Sequence, residues 1–191
     1  MSLLRHIALI LLLALTANSL QSQSIHLPVD TLIVHQKEGT FNGIKMEYEA
    51  IAGMQPVWND AGEPIATLQF TYYRKSGNQD DYSERPLLIS FNGGPGSASV
   101  WMHIAYTGPK LLKIDDEGYP VQPYGVRDNP FSVLDVTDIL YVNPVNTGYS
   151  RMIPMDGEGV DKSTFFGIEA DVTYLAEWIN TFVNRHNRWN S

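Results

Sequence analysis

The sequence predicts an α/β domain of mixed sheet. Three patterns predict it: two stretches that alternate apolar and polar residues, two later stretches that are continuously apolar, and a long segment repeating at helical spacing. The alternating stretches come first. From Ile44 to Ala50 the apolar Ile44, Met46, Tyr48 and Ala50 interleave with Lys45, Glu47 and Glu49, the period of a half-buried strand. Pro64 to Arg74 repeats the pattern, with Ala66, Leu68, Phe70 and Tyr72 on one face. These two strands should pair antiparallel through a Gly53 to Gly62 loop.

Beyond the polar Lys75 to Arg85, Pro86 to Phe91 is continuously apolar except for Ser90, and Asp138 to Asn143 is a second such run. Both fit strands covered on two faces, and both stop at Asn followed by Gly or Pro, a turn signal. Loops leaving the carboxyl ends of such strands build the site in open sheets. Asn92 to Ser99 and Asn143 to Arg151 are therefore expected side by side. Ser163 to Val183 places Ile168, Val172, Leu175, Ile179 and Phe182 at helical spacing, with Ser163 or Thr164 as N-cap.

The 191 residues carry a net charge of -8 and no cysteine. An acidic chain lacks the basic stripe that a phosphate backbone requires, so nucleic acid is not an expected partner. Without cysteine there is no disulfide framework, thiol nucleophile or thiolate metal site. Arg5 precedes the apolar run Ile7 to Ala17, and small or polar residues follow. That run is roughly 11 residues against the ~20 of a spanning helix, so residues 1–23 read as a secretory signal peptide. Residues 24–191 form the domain, exported to a periplasm or the extracellular space, with no membrane association after signal removal.

Chemistry concentrates in Asn92-Gly93-Gly94-Pro95-Gly96-Ser97-Ala98-Ser99. Glycines let backbone amides approach a ligand, and the Asn92 side chain adds a donor, an arrangement suited to a carboxylate or a developing oxyanion. Phosphate is disfavoured: the final Gly of G-x-G-x-x-G is missing, no Gly-Lys-Ser/Thr follows, and Pro95 removes an amide. The histidines, His6, His26, His35, His103 and His186, form no ligand pair, and no metal or other cofactor is expected. Trp101, His103 and Tyr106 are expected near the site, with Trp101 packed under the loop. Asp135 and Asp138 are expected to cap or to pair with Arg127, without catalysis.

Further words follow in order: Gly108-Pro109, Asn129-Pro130-Phe131-Ser132, and Asp138-Ile139-Leu140-Tyr141-Val142-Asn143-Pro144-Val145-Asn146-Thr147-Gly148-Tyr149-Ser150. Together with the glycine turn they make the chain resemble the serine carboxypeptidases of the α/β-hydrolase fold, peptidase family S10. The resemblance implies a mixed, mostly parallel sheet with antiparallel amino-terminal strands. It also implies removal of C-terminal residues from peptides with a free C-terminus, through an acyl-enzyme. Gly94 would donate its backbone N–H to the oxyanion hole, and Asn92 and Gly93 would bind the substrate carboxylate.

Two departures stand out. Tyr106-Thr107 precedes Gly108-Pro109 where the family often has Glu-Leu, which implies a less acidic optimum. The Gly-x-Ser-x-Gly elbow is absent, and Ser150, with Gly148 before it but Met152 after it, does not supply one. The Ser, Asp and His of the triad are thus missing, and the chain is expected to be a part of an α/β-hydrolase domain truncated before the nucleophile elbow and inactive alone. The alternatives are a proline iminopeptidase-like α/β-hydrolase, whose oxyanion loop usually follows His in place of Asn92, and a non-catalytic secreted fragment that binds peptide termini or a partner.

Overall fold

A computed structural model describes residues 28–77, 84–93, 96–154 and 161–191. The expected signal peptide, 1–23, lies outside them, as does Gly94. The first element is a long hairpin. Strands β1 (Thr31–Phe41) and β2 (Ile44–Trp58) pair antiparallel, joined by Asn42 and Gly43 at φ 50° and 82°. An Asn-Gly pair suits a two-residue turn because both residues tolerate positive φ. The Asn42 amide also donates to the Ser132 carbonyl at 3.2 Å and to Asp135 at 3.1 Å, anchoring the hairpin. Sequence patterning misses β1, whose Leu32, Ile33 and Val34 are all exposed and so show no alternation.

Strand β3 (Pro64–Lys75) pairs antiparallel with β2, as expected, but the connecting loop is shorter than the predicted Gly53 to Gly62. It spans only residues 59–63, closed by Asn59 Oδ1 accepting from the Ala61 and Glu63 amides. Gly53 lies inside β2, where a Cβ would stand 2.5 Å from the Phe70 ring.

Strands β4 (Leu87–Ser90) and β7 (Asp138–Val142) are the two continuous runs, and they pair parallel. Strands β5 (Lys110–Leu112) and β6 (Val126–Asp128) form a separate small sheet, and β8 (Arg151–Met152) adds to β3. The main order is β1-β2-β3-β7-β4. The sheet is mixed, as expected for an α/β fold, but it corrects the expectation of mostly parallel strands: among the described residues only β4 and β7 run parallel. Parallel neighbours need a crossover, and among the described residues the β4–β7 pair has one, from Ser90 to Asp138.

One face of the sheet packs on helix α2 (Ile168–Arg185), the second helix after the short α1 (Val100–Met102). Ile51, Leu68, Phe70, Tyr72, Leu140 and Val142 meet Tyr174, Leu175, Trp178 and Phe182 there. Trp178 Nε1 donates to the Gln55 carbonyl at 3.1 Å while Gln55 Nε2 donates to the Trp178 carbonyl at 3.0 Å. The predicted stripe is turned: Leu175 and Phe182 are buried, but Ile168 and Val172 are 88% and 65% exposed. The cap is corrected too. Asp161 caps a 3-10 turn, Lys162–Thr164, by accepting from the Ser163 amide at 2.9 Å, and α2 begins only after Gly167 at φ 147°. Neither Ser163 nor Thr164 caps the long helix.

The other face carries Phe41, Met46, Tyr48, Tyr73, Leu134, Ile139 and Tyr141. Asp138, fully buried at the start of β7, accepts from Arg188 Nη1 at 2.5 Å and Arg85 Nε at 3.0 Å. Arg188 donates in turn to the Arg85 carbonyl and the Tyr72 hydroxyl. The partners of Asp138 are therefore Arg85 and Arg188, not Arg127, which sits exposed on β6.

Candidate functional site

The two loops expected to lie together do so. Where β7 ends, Asn143 reaches sideways: its Oδ1 accepts from the Ser99 amide at 2.8 Å and its Nδ2 donates to Gln69 Oε1. Ser99, fully buried, uses its hydroxyl twice, donating to the Val142 carbonyl and accepting from the Asn92 amide at 3.1 Å. That last bond closes the glycine turn on itself. Ser150 holds the far end, donating from Oγ to the Asn143 carbonyl at 2.7 Å and accepting from the Gln69 amide at 2.8 Å. A fully buried hydroxyl with both partners in place is a brace, which agrees with the reading that Ser150 is no nucleophile. Gly148, at φ 52°, leaves room for the Asn143 amide, since a Cβ there would stand 2.4 Å from Nδ2.

The turn and the loop after Asn143 border a cavity of about 490 Å³, whose opposite wall is the start of α2. Asn92, Gly93 and Ser97 line it from the turn, Val145 from the loop, and Phe165 and Asp171 from the opposite wall. Tyr174 joins these walls, its hydroxyl accepting from the Val145 amide at 3.3 Å and bonding the Asp171 carboxylate. Burial first, and then that carboxylate, push the Tyr174 phenol well above its ordinary range. It remains a neutral donor at any working pH.

Of the sequence-assigned residues, Asn92 and Gly93 line the cavity, and Gly94 lies outside the described residues. Asn92 Nδ2 donates to Ser97 Oγ at 3.2 Å, and its Oδ1 is buried with no hydrogen-bond partner among the described residues. A serine hydroxyl can donate as well as accept, so turning the amide by 180° keeps the Ser97 bond and offers Nδ2 where Oδ1 now stands. A Cβ built on Gly93 would meet nothing within 4 Å among the described residues.

Trp101 corrects the expectation that it packs under the loop: it is 57% exposed. His103 is the residue that turns inward. Its Nε2 lies 2.7 Å from the Tyr73 hydroxyl and its ring stacks on Tyr141 at 4.6 Å between centroids. Burial lowers its pKa to about 4. Tyr106 is 71% exposed. Sequence reasoning did not find Gln69 or Tyr174, which lie far from the glycine turn in sequence and carry no motif. Asn-Pro at a strand end signals a turn but not the reach of the Asn143 side chain.

Residues 65–189 match the family model for serine carboxypeptidases. The chain belongs to this family. Among its family relatives is serine carboxypeptidase-like 36 of Arabidopsis thaliana, 27% identical over 167 residues, which cover 86% of this chain and 31% of that protein. The pheromone-processing carboxypeptidase KEX1 of Saccharomyces cerevisiae is 29% identical over 117 residues, covering 60% of this chain and 15% of KEX1. The chain thus spans 31% or less of the length of these relatives. The family match takes in the glycine turn, both core strands and α2, the elements that frame the cavity.

Proposed function

We propose that residues 24–191 are the amino-terminal part of an α/β-hydrolase-type serine carboxypeptidase, exported behind a signal peptide at 1–23, that removes C-terminal residues from peptides. The single observation that carries this reading is the cavity between the glycine turn and the start of α2, with Asn92 and Gly93 on its wall. The Gly94 N–H stabilises the oxyanion, and Asn92 and Gly93 hold the terminal carboxylate of the substrate. Both tasks need donors: a charge-assisted hydrogen bond on the carboxylate fixes the scissile bond one residue from the chain end. The triad comes from residues beyond these 191, since no serine here sits in a nucleophile elbow and Ser150 is committed to bracing.

The reaction would proceed by attack of a serine hydroxyl on the last peptide carbonyl. A histidine takes its proton, and the tetrahedral oxyanion is held by backbone N–H groups. Losing one such donor costs about 3 kcal/mol in the barrier. The test is peptide hydrolysis by the protein carrying its full triad. Asn92→Ala should raise KM at least about tenfold for blocked peptides with a free C-terminus, the cost of one charge-assisted hydrogen bond, and leave the corresponding C-terminal amides unchanged. Equal effects on both substrates would remove Asn92 from carboxylate recognition.

A further inference from the structure

We infer that His103 is a positioning residue that sets the shape of the Asn92–Ser99 turn from beneath, by clamping the segment that follows the turn onto strands β3 and β7. The inference concerns the geometry of the turn and stands apart from whether the turn serves peptide cleavage.

The chain leaves the turn at Ser99, makes the single α-helical turn of α1, and passes into a π-helical turn over His103–Thr107. His103 grips at both of its ends. Its backbone N–H donates to the Ser99 carbonyl at 3.0 Å, and Ser99 is the residue whose hydroxyl closes the turn on the Asn92 amide. Its imidazole reaches across to the Tyr73 hydroxyl on β3 and stacks on Tyr141 of β7 at an interplanar angle of 23°. From the sheet to the Asn92 amide the path is therefore short: Tyr73, His103, Ser99, Asn92.

The widened helical turn is what aims the imidazole inward. A π-helical turn adds a residue to the ring of the helix and tends to occur at functional sites, because it costs regular hydrogen bonding. Its far end is fixed independently. Thr107 Oγ1 lies 2.7 Å from the Tyr141 hydroxyl, Ser132 Oγ donates to the Thr107 carbonyl at 2.8 Å, and Asn129 Nδ2 donates to the Gly108 carbonyl at 2.7 Å. Gly108 must be glycine, since a Cβ there would stand 2.1 Å from the His103 carbonyl oxygen. With the exit nailed down and Ser99 bonded to Val142 and Asn143, the imidazole adds a further hold, from β3, on how the entry is presented.

The clamp needs a neutral ring. Tyr73 faces His103 from β3 and Tyr141 from β7; Tyr48 of β2 lies behind Tyr73 at 6.1 Å, with Lys110 and Asp128 felt only at Tyr48. Among the described residues no carboxylate stands by to receive an imidazolium, and burial opposes protonation. With Nε2 unprotonated it accepts from Tyr73. Protonation at low pH forces Tyr73 to turn its hydroxyl from donor to acceptor and leaves a buried charge between two phenols, so the grip of the ring weakens.

Amide hydrogen exchange on the 191-residue chain, read at Asn92, Gly93 and Gly96–Ser99 against the core of α2, tests this. Tyr73→Phe and His103→Phe should speed exchange across the turn about tenfold or more relative to α2, the size expected when one local closing contact is lost. His103→Gln, which keeps a hydrogen-bonding group toward Tyr73, should restore part of the protection. In the unmodified chain the turn should lose protection in step with protonation of His103, followed by imidazole nitrogen NMR, and in His103→Phe that step should vanish. Turn exchange unchanged in Tyr73→Phe, or the same acid step persisting in His103→Phe, would overturn the assignment. Should His103→Phe fail to fold, Tyr73→Phe and the titration of the unmodified chain decide it.

Discussion

The two faces of the sheet are held by different physics. On the α2 face, Phe70, Trp178 and Phe182 pack edge to face or stacked, and the helix is located chiefly by the area it buries, with the paired Trp178–Gln55 bonds fixing its register. On the opposite face the cover is an irregular chain, Ser99 to Gly108 and Asn129 to Asp135, located by hydrogen bonds from Ser99, His103, Thr107, Asn129 and Ser132. Apolar packing is non-directional and tolerates small shifts, whereas hydrogen bonds fix angles. The face that positions the glycine turn is the one held mainly by directional contacts.

Perturbing one face at a time sharpens that contrast. The largest effect should come from Phe182→Ala, which removes a fully buried ring from the α2 face and should cost about 3–5 kcal/mol in urea unfolding. A loss under 1 kcal/mol would show that α2 does not depend on this packing. Next comes pH, which touches both faces, since His186 sits among Phe70, Tyr72 and Phe182 just as His103 sits among tyrosines. Burial lowers both to about 4, with Arg74, Arg185 and Arg188 adding to the effect at His186. The unfolded chain binds more protons than the native one between about pH 4 and 6.5, so stability should fall as pH drops through that window, by on the order of 3 kcal/mol per histidine. A flat urea midpoint from pH 6.5 to 4 would contradict it.

A smaller loss, about 1–2 kcal/mol, is expected for Ser99→Ala, which strips hydrogen-bond partners from Asn92 and Val142. The informative readout is the shape of the turn: faster exchange at Asn92 and Gly93 with α2 unchanged. The smallest effect belongs to Ile168→Ser, within about 0.5 kcal/mol, because this residue stands in solvent. A loss above 1.5 kcal/mol would mean that the predicted helical stripe, and not the observed one, faces the core.

The same contrast governs what could be read from the sequence. Alternation found β3 and the first half of β2, and continuous apolar runs found β4 and β7, because burial leaves a period behind. Periodicity placed α2 but misjudged its face. Ile168 and Val172 fit the spacing as well as Leu175 and Phe182 do, and Tyr174 and Trp178, which take their places in the core, are amphipathic residues that a strict apolar count passes over. The site was readable as two loops brought together by neighbouring strand ends. The joint between them was not, since Asn143 to Ser99 and Gln69 to Ser150 are contacts across 44 and 81 positions that leave no local signature. β1 left none either, with apolar residues exposed on both of its faces.

That uncovered strand has a consequence for handling the protein. Along β1 the side away from β2 offers a ladder of backbone donors and acceptors with no strand against it among the described residues, beginning at Leu32-Ile33-Val34. Lys37 and Glu38, further along, are the charges that discourage a second molecule from zipping onto it. Crowded solutions, or a substitution that neutralises Lys37, should turn this border into a seed for fibrous self-assembly.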